Sequence, residues 1–224
     1  MSGELIDTSQ MYLRTVFELE EADIEPRRAR IVDRLHQAGP TVSQTVARME
    51  RYGLMRLTEE RTIELTRAGF EEARDVMRHH RLAECFLVDV LGLDYALAHE
   101  EACRWEHVMS DTVEERLVSL LKDPKTDPYG NPIPGSAQPT PGESLELAVK
   151  TREGEALRLL RIGEPIQADK GIIADFAACE VKPGTRIEAA AEGNFVRLRS
   201  LEEGADTKGF KIPMALAAHL FVTV

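Results

Sequence analysis

The stretch Gly39-Pro-Thr-Val-Ser-Gln-Thr-Val-Ala-Arg-Met-Glu-Arg-Tyr-Gly53 decides the fold of the first part of the chain. Val42, Val46 and Met49 recur at helical spacing, so residues 41–52 are predicted to form a helix with one buried side. Gly53 suits the end of that helix. Residues 26–35 predict a second short helix, which Pro26 opens. Two short helices joined by a tight turn at residues 38–40 are the helix-turn-helix pattern.

The surroundings of this helix pair indicate DNA binding. Residues 54–57 and 62–65 predict a β-hairpin, or wing. Residues 26–61 hold eight arginines against four acids, whereas the first 25 residues hold one arginine against seven acids. The second helix is predicted to expose short polar groups that suit base edges and phosphates, namely Thr41, Ser43, Gln44 and Thr45. The alternative is a helical hairpin with a solvated, arginine-rich face.

A second informative stretch is His99-Glu-Glu-Ala-Cys103-Arg-Trp-Glu106-His107. If these residues are helical, then two imidazoles, one thiol and one carboxylate lie within an arc of about 100°. That combination of donors suits a first-row divalent metal. The alternative is a solvated helix face that carries a histidine pair by chance.

The residues before this stretch predict a long helix, which Thr66 caps and Gly92 ends. His80 and Glu84 share one of its faces, and such a pair alone indicates a hydrogen bond more often than a metal site. Further helices are predicted to begin at residues 94 and 111. Together they carry more apolar surface than one helix-turn-helix unit covers, which favours a helical dimer interface.

The composition and the apolar periodicity of the chain change in its last third. Residues 123–142 contain six prolines and three glycines, which predict a linker with turns and polyproline segments. Short apolar runs separated by turn residues then predict a small β-barrel, with runs at 157–162, 185–191, 195–201, 210–212 and 219–224.

The composition narrows the class of protein. The chain has 224 residues, 43% of them hydrophobic, and a net charge of −11, which excludes nucleic-acid binding by the whole surface but not by one basic face. No apolar run is long enough for a membrane span and no signal peptide opens the chain, so a cytoplasmic protein without a membrane partner is expected. The three cysteines have no disulfide framework spacing. His-Glu-x-x-His, nucleophile-elbow and glycine-rich phosphate-loop motifs are missing, which argues against a metalloenzyme.

Several segments together resemble one known family. They are Asp-Thr-Ser-Gln-Met-Tyr-Leu-Arg-Thr at 7–15, Arg-Ala-Arg-Ile at 28–31, the stretch at 39–51, Glu-Ala-Cys-Arg-Trp-Glu-His-Val-Met-Ser-Asp at 101–111, and Gly-Asn-Pro-Ile-Pro-Gly at 130–135. These segments resemble the diphtheria toxin repressor and iron-dependent regulator family, specifically across residues 5–135 and more weakly in the tail.

The resemblance implies a mainly α fold with β structure, in three parts. They are an N-terminal winged helix-turn-helix at residues 1–73, a helical dimerisation and metal-binding domain at 74–140, and a C-terminal SH3-like small β-barrel at 151–224. Residues 141–150 would end the proline-rich linker.

The resemblance also implies two metal sites and a DNA-binding surface. The primary site would use Met11, Cys103, Glu106 and His107. The ancillary site would use His80, Glu84, His99, Glu164 and Gln167. The DNA contacts would be Arg28, Pro40, Thr41, Ser43, Gln44, Arg48, Arg51 and Arg61. The family's anion pocket would keep Arg81 and Asn131, but Asp127 replaces a serine, and its carboxylate is expected to repel an anion.

The function that the resemblance implies is a repressor of iron-uptake and siderophore genes. It would bind palindromic operator DNA as a homodimer, with one or two dimers per operator, when loaded with two Fe²⁺ ions per subunit. Co²⁺, Ni²⁺, Mn²⁺ or Zn²⁺ would serve as substitutes. The alternatives are a manganese-responsive regulator of the same architecture, a metal-storage or delivery protein and, more remotely, a metalloenzyme.

Overall fold

The computed structural model describes residues 2–138, 140–152, 154–204 and 208–224, with side chains described from residue 8 onward. The chain folds as two compact units, Met1–His79 with Glu106–Val108, and His80–Trp105 with Met109–Val224. No helix in the described part of the chain combines the length and the apolar character that a membrane span requires. The domain boundaries at residues 73, 140 and 150 stay predictions.

The first unit contains the predicted helix-turn-helix. Its helices are α1 (Ser2–Glu21), α2 (Arg28–Leu35) and α3 (Gly39–Arg51). Pro40 lies in the first turn of α3, and Gly53 takes a φ of 71° just beyond its end, a conformation that glycine adopts without strain. Ile31, Val42 and Met49 are fully buried in one core with residues of α1. The prediction from residues 26–53 is confirmed.

Helix α1 begins earlier than the sequence predicted. The residue types at Asp7, Thr8 and Ser9 favour a helix N-terminus and predict that the helix begins there, but it starts at Ser2. No proline interrupts residues 2–9, so the backbone can continue the helix through them. Tyr12, Leu13 and Val16 recur at helical spacing, which predicts one apolar stripe, and all three are fully buried.

The wing is also confirmed. Strands β1 (Met55–Leu57) and β2 (Ile63–Leu65) pair antiparallel, with Met55 opposite Leu65. Met55 and Ile63 enter the core of the first unit. Arg56 and Glu64 form an exposed ion pair directly across the hairpin.

The helices of the middle segment lie close to their predicted positions. They are α4 (Arg67–Cys85) with a following π-helical turn (Phe86–Val90), α5 (Tyr95–Trp105) and α6 (Asp111–Leu120). Gly92 has a φ of 66° and separates α4 from α5. One prediction is wrong: α5 ends at Trp105, so Glu106 and His107 lie in the turn after the helix and do not continue its face.

The proline-rich segment is more ordered than a linker. Tyr129 and Ile133 are fully buried, and a single β-bridge joins Thr126 to Pro132. Gly130 has a φ of 87°, and a Cβ atom there would stand 2.2 Å from the carbonyl oxygen of Leu160. Only glycine therefore fits at this close approach of two backbones.

The C-terminal part is a six-stranded antiparallel sheet with strand order β3-β8-β4-β5-β6-β7. The strands are β3 (Glu143–Ser144), β4 (Ala156–Ile162), β5 (Arg186–Glu192), β6 (Phe195–Ser200), β7 (Phe210–Pro213) and β8 (Leu220–Thr223). Strands β4 to β8 coincide with the five predicted apolar runs. The predicted small β domain is confirmed.

The sequence did not predict the helices inside this domain. They are α7 (Leu145–Thr151), the one-turn α8 (Glu164–Gln167), α9 (Lys170–Ala178) and α10 (Met214–Ala217). Asp169 caps α9 by accepting hydrogen bonds from two backbone N–H groups. Helices α8 and α9 both pack against α5, the helix that carries His99.

Candidate functional site

Three of the predicted ancillary ligands meet in a buried cluster of the second unit. His80 and Glu84 are one turn apart on α4, and His99 lies on α5. His80 Nε2 is 2.8 Å from Glu84 Oε1 and 3.1 Å from His99 Nδ1, and His99 Nδ1 is 3.2 Å from Glu84 Oε1. His80 and Glu84 are fully buried and His99 is 5% exposed. Two imidazoles and a carboxylate at these distances suit a divalent cation.

The Cys103 thiol lies next to the same cluster. Its Sγ is 3.7 Å from His99 Nε2, one turn further along α5. One ligand atom each from His80, His99 and Cys103 lies within 4.8 Å of the others. The sequence placed Cys103 in the primary set, so the structure brings the thiol to residues predicted for the other site.

The two ligands predicted from the third domain lie on α8 and have different surroundings. The Glu164 carboxylate accepts hydrogen bonds from Arg81 Nε at 3.1 Å and Arg81 Nη2 at 2.7 Å. Gln167 is buried, and its Nε2 donates to the carbonyl oxygen of Ile162 at 2.7 Å. Its Oε1 is buried without a hydrogen bond from any residue that the structure describes. A buried amide oxygen in this state fits a metal ligand.

The predicted anion pocket is lined by Asp127 itself. Asp127 accepts hydrogen bonds from the backbone N–H groups of Tyr129 at 2.8 Å and Asn131 at 2.9 Å, and from Asn131 Nδ2 at 2.9 Å. Arg81 Nε lies 3.9 Å from its carboxylate. Burial raises the pKa of Asp127 to about 6, with a further rise from Glu164, while Arg81 and Asn131 act in the opposite direction. Arg81 thus already faces two carboxylates.

The other predicted primary ligands lie in the first unit, where side chains of α1 hold them. Arg14 Nη1 donates to both oxygens of Glu106, at 2.9 and 2.7 Å. His107 Nδ1 is 2.7 Å from Gln10 Oε1, and its Nε2 is 3.2 Å from Glu106 Oε1. Met11 is half-buried and follows Gln10 on α1.

Sequence reasoning missed Arg14 and Gln10. Arg14 is 2% exposed and also bonds Glu18 at 2.7 Å. The sequence could have pointed to Arg14, because it is the one arginine in an otherwise acidic segment of 25 residues. The spacing of His79 on α4 predicts that it points away from His80 and Glu84 into solvent, but it is half-buried, with Nδ1 3.3 Å from the carbonyl oxygen of Glu106.

The predicted DNA contacts lie on the helix-turn-helix and the wing. Pro40, Thr41, Gln44, Arg51 and Arg61 are exposed, whereas Arg28, Ser43 and Arg48 are half-buried. The expectation that Thr45 is exposed is wrong: it is 7% exposed and its side chain hydrogen-bonds Tyr12. Thr45 follows the buried Val42 by one turn, so it faces the core rather than solvent.

The chain is similar to known proteins over most of its length. Residues 4–63 match the family model of the iron-dependent repressor N-terminal DNA-binding domain, and residues 66–135 match the model of the iron-dependent repressor metal-binding and dimerisation domain. A diphtheria toxin repressor of Corynebacterium efficiens is 48% identical over 84% of this chain and 85% of that protein. The iron-dependent repressor IdeR of Mycobacterium tuberculosis is 49% identical over 83% of this chain and 84% of that protein.

A solved structure described as a manganese-dependent transcriptional repressor in complex with manganese has the same fold. It superposes with a TM-score of 0.79 at 26% identity and covers 96% of this chain and 98% of that one. The family consists of transcriptional repressors, which confirms the prediction that the protein is not an enzyme. With nearly half of its residues identical to these repressors over most of its length, the chain belongs to the iron-dependent repressor family.

Proposed function

We propose that the protein is a cytoplasmic Fe²⁺-dependent repressor of iron-uptake and siderophore genes. The observation that carries this proposal is the buried cluster of His80, Glu84 and His99 in a chain that also holds an arginine-rich helix-turn-helix. A metal-storage protein would need the first feature but not the second. The related repressors that are named for iron support the choice of metal.

The metal ligands are proposed as two sets, one for each of two ions per subunit. Met11, Cys103, Glu106 and His107 form the primary set, and His80, Glu84, His99, Glu164 and Gln167 form the ancillary set. A bound cation would supply positive charge to the carboxylates of each set. Support comes from the buried imidazole cluster and from the buried amide oxygen of Gln167.

The proposed switch acts on α1. Gln10 orients the His107 ring through Nδ1, so its Nε2 faces the Glu106 carboxylate. Met11 lies next to Gln10, and its use as a ligand would tie the middle of α1 to residues 106–107. Moving a population from 1:99 to 99:1 needs about 5.5 kcal/mol of differential binding, which several ligands per ion can supply. The fixed α1 would set the spacing of the two DNA-reading helices in a dimer.

The DNA-bound form is proposed to be a homodimer, with one or two dimers on each palindromic operator. Exposed apolar side chains of the second unit support a dimer surface, among them Leu91 at 58% and Leu120 at 55% exposure. The eight residues predicted to contact DNA would bind either bases or phosphates. Gln44 suits a base edge, and the arginines suit phosphates.

A manganese-responsive regulator is the second candidate. The structural likeness to a manganese-dependent repressor favours it. Against it stands the chemistry of Cys103, because a thiolate ligand suits iron, cobalt, nickel or zinc better than manganese.

The test is a gel shift on a palindromic promoter fragment with Fe²⁺, Co²⁺ or Mn²⁺, and with a strong chelator in a parallel lane. Retardation that needs the metal, and that is strongest with Fe²⁺ or Co²⁺, is the expected result. Gln44→Ala should weaken binding by roughly 1–3 kcal/mol and relax base preference at one position. Glu59→Gln, in the turn of the wing, is the control. Equal DNA binding in chelator would refute the proposal.

A further inference from the structure

Four charged side chains of alternating sign form a charge network through the first unit. Arg14 Nη1 donates to both oxygens of Glu106, and Arg14 Nε donates to Glu18 Oε1 at 2.7 Å. The other oxygen of Glu18 accepts a hydrogen bond from Arg34 Nε at 3.0 Å. Arg14 and Glu18 are one turn apart on α1, and Arg34 lies in the last turn of α2. The charge network therefore joins a proposed metal ligand to the first helix of the helix-turn-helix.

Most of this network is kept away from water. Glu106, Arg14 and Glu18 are buried, and Arg34 is half-buried. Buried charges interact more strongly than charges at the surface, and salt screens them less. Arg14 bonds two carboxylates, and Glu18 bonds two guanidinium groups. A change at Glu106 can therefore alter the bond between Glu18 and Arg34.

We propose that Arg14, Glu18 and Arg34 are positioning residues that transmit cation binding at Glu106 to α2. The inference rests on the proposed function only in taking Glu106 as a metal ligand. When Glu106 shares its carboxylate with a cation, it holds Arg14 less strongly, because two positive charges compete for one carboxylate. Arg14 then turns toward Glu18, and Glu18 holds Arg34 less strongly. The contact between α1 and α2 thus depends on whether Glu106 is loaded.

The alternating signs predict opposite effects of two variants on metal affinity. Arg34→Met leaves Glu18 with a stronger pull on Arg14, so Glu106 becomes more available to a cation and the affinity should rise. Glu18→Gln removes one of the two carboxylates that share Arg14, so Arg14 holds Glu106 more firmly and the affinity should fall. Each change should be roughly three- to tenfold, as expected for residues of one ion-pair network.

Titration of the full-length protein with Co²⁺, in competition with a chelator and without DNA, measures these affinities. The absorption of a cobalt–thiolate bond selects the primary set, because Cys103 belongs to it. Arg34→Lys keeps the positive charge and should bring the affinity back to that of the unmodified protein. If the affinity is unchanged in Arg34→Met or in Glu18→Gln, or changes in the same direction in both, the proposal is overturned. Circular dichroism shows whether each variant folds.

Two matched controls separate the charge network from general effects of charge and packing. Arg30 is exposed on α2, one turn before Arg34, so Arg30→Met removes a positive charge from the same helix but outside the network. Tyr12 is fully buried on α1 and its hydroxyl donates to Gln37, just beyond the end of α2, so Tyr12→Phe removes an uncharged contact. Both controls should change the affinity less than about twofold, since exposed charges are screened. An effect of either control as large as that of Arg34→Met would overturn the proposal.

Nuclear magnetic resonance of the arginine Nε–H groups follows the network in the unmodified protein. Arg34→Met identifies the Arg34 signal by its loss. Addition of Zn²⁺ should shift the signals of Arg14 and Arg34. Arg56 is the reference, because its Nε donates to Glu64 in an exposed ion pair of the wing, and its signal should stay in place. An Arg34 signal that Zn²⁺ does not move would show that cation binding at Glu106 does not reach α2.

The gel shift of the unmodified protein separates the two proposals. DNA binding that persists in chelator, together with opposite changes of metal affinity in Arg34→Met and Glu18→Gln, would refute the proposed function and support the charge network. Metal-dependent DNA binding without those changes in affinity would do the reverse.

Discussion

The two regions that carry the predicted metal ligands balance charge in different ways. In the second unit, the Glu84 carboxylate lies against the imidazoles of His80 and His99. In the first unit, the Glu106 carboxylate lies against the guanidinium of Arg14. An imidazole can exchange a proton for a metal ion, whereas a guanidinium stays charged and has to be displaced. The cluster around Glu84 can therefore accept a metal cation directly, whereas the cluster around Glu106 already contains a cation, the guanidinium of Arg14.

Replacement of Arg14 is expected to have the largest effect. Arg14→Met leaves the buried carboxylates of Glu18 and Glu106 without their shared cation, which should lower the free energy of unfolding by about 3–5 kcal/mol in chelator. Chemical denaturation measures this loss. Divalent metal should recover more stability in the variant than in the unmodified protein, because the ion replaces the missing charge.

The control for this prediction is Arg14→Met combined with Glu106→Gln, which removes both charges. We expect the double variant to be more stable than Arg14→Met alone. If Arg14→Met unfolds at the same denaturant concentration as the unmodified protein, then Arg14 does not balance Glu106 and the comparison is wrong.

The second prediction concerns the pH dependence of Asp127. Burial raises the pKa of its carboxyl group from 3.8 to about 6, so the folded protein favours the protonated form. The stability from this proton is fully present below about pH 4 and is lost as the pH rises through 6. A shift of two pKa units corresponds to a loss of about 3 kcal/mol at most.

Asp127→Asn removes this titration and serves as the reference. The difference in unfolding free energy between the unmodified protein and the variant, both in chelator, should fall between pH 4 and pH 6. A constant difference over that range would show that Arg81 neutralises Asp127 more fully than its 3.9 Å separation indicates.

Much of the fold could be predicted from the sequence because it depends on local patterns. Alternating burial along the first part of β4, with Leu157 and Leu159 buried and Arg158 exposed between them, follows from a period of two. Helix α9 was missed because Gly171-Ile-Ile-Ala-Asp-Phe-Ala-Ala178 has too few polar residues to show a helical period. Its cap at Asp169 was the available signal.

The site was predictable where its residues share a helix. The spacing of one helical turn predicts that His80 lies beside Glu84, and that His99 lies beside Cys103. The contact between Arg14 and Glu106 joins residues 92 positions apart, and no local pattern reports such a contact. The prediction of one helical face over residues 99–107 was wrong because α5 ends at Trp105. The ends of helices and strands are the least predictable feature of a sequence.

The third prediction tests the buried oxygen of Gln167. Gln167→Leu removes this oxygen and the hydrogen bond to Ile162, so stability in chelator should change by about 1 kcal/mol or less. Metal affinity at the imidazole cluster should fall about tenfold, equal to about 1.4 kcal/mol. Isothermal titration with Co²⁺ measures it. Gln167→Glu, which keeps an oxygen donor, is the control. An unchanged affinity in Gln167→Leu would remove Gln167 from the ligand set.

The smallest effect is expected at Gln10, which positions His107 without being a proposed ligand. Gln10→Ala removes the acceptor at 2.7 Å from His107 Nδ1, which should cost about 1 kcal/mol of stability because one partly buried hydrogen bond is lost. Metal-dependent DNA binding should need several-fold more metal, since the ring is no longer held with Nε2 toward Glu106. Gln10→Glu keeps an acceptor and should restore the response. If Gln10→Ala leaves the metal concentration needed for DNA binding unchanged while Arg14→Met changes it strongly, then the charge of Arg14, rather than the orientation of the His107 ring, controls metal binding in the first unit.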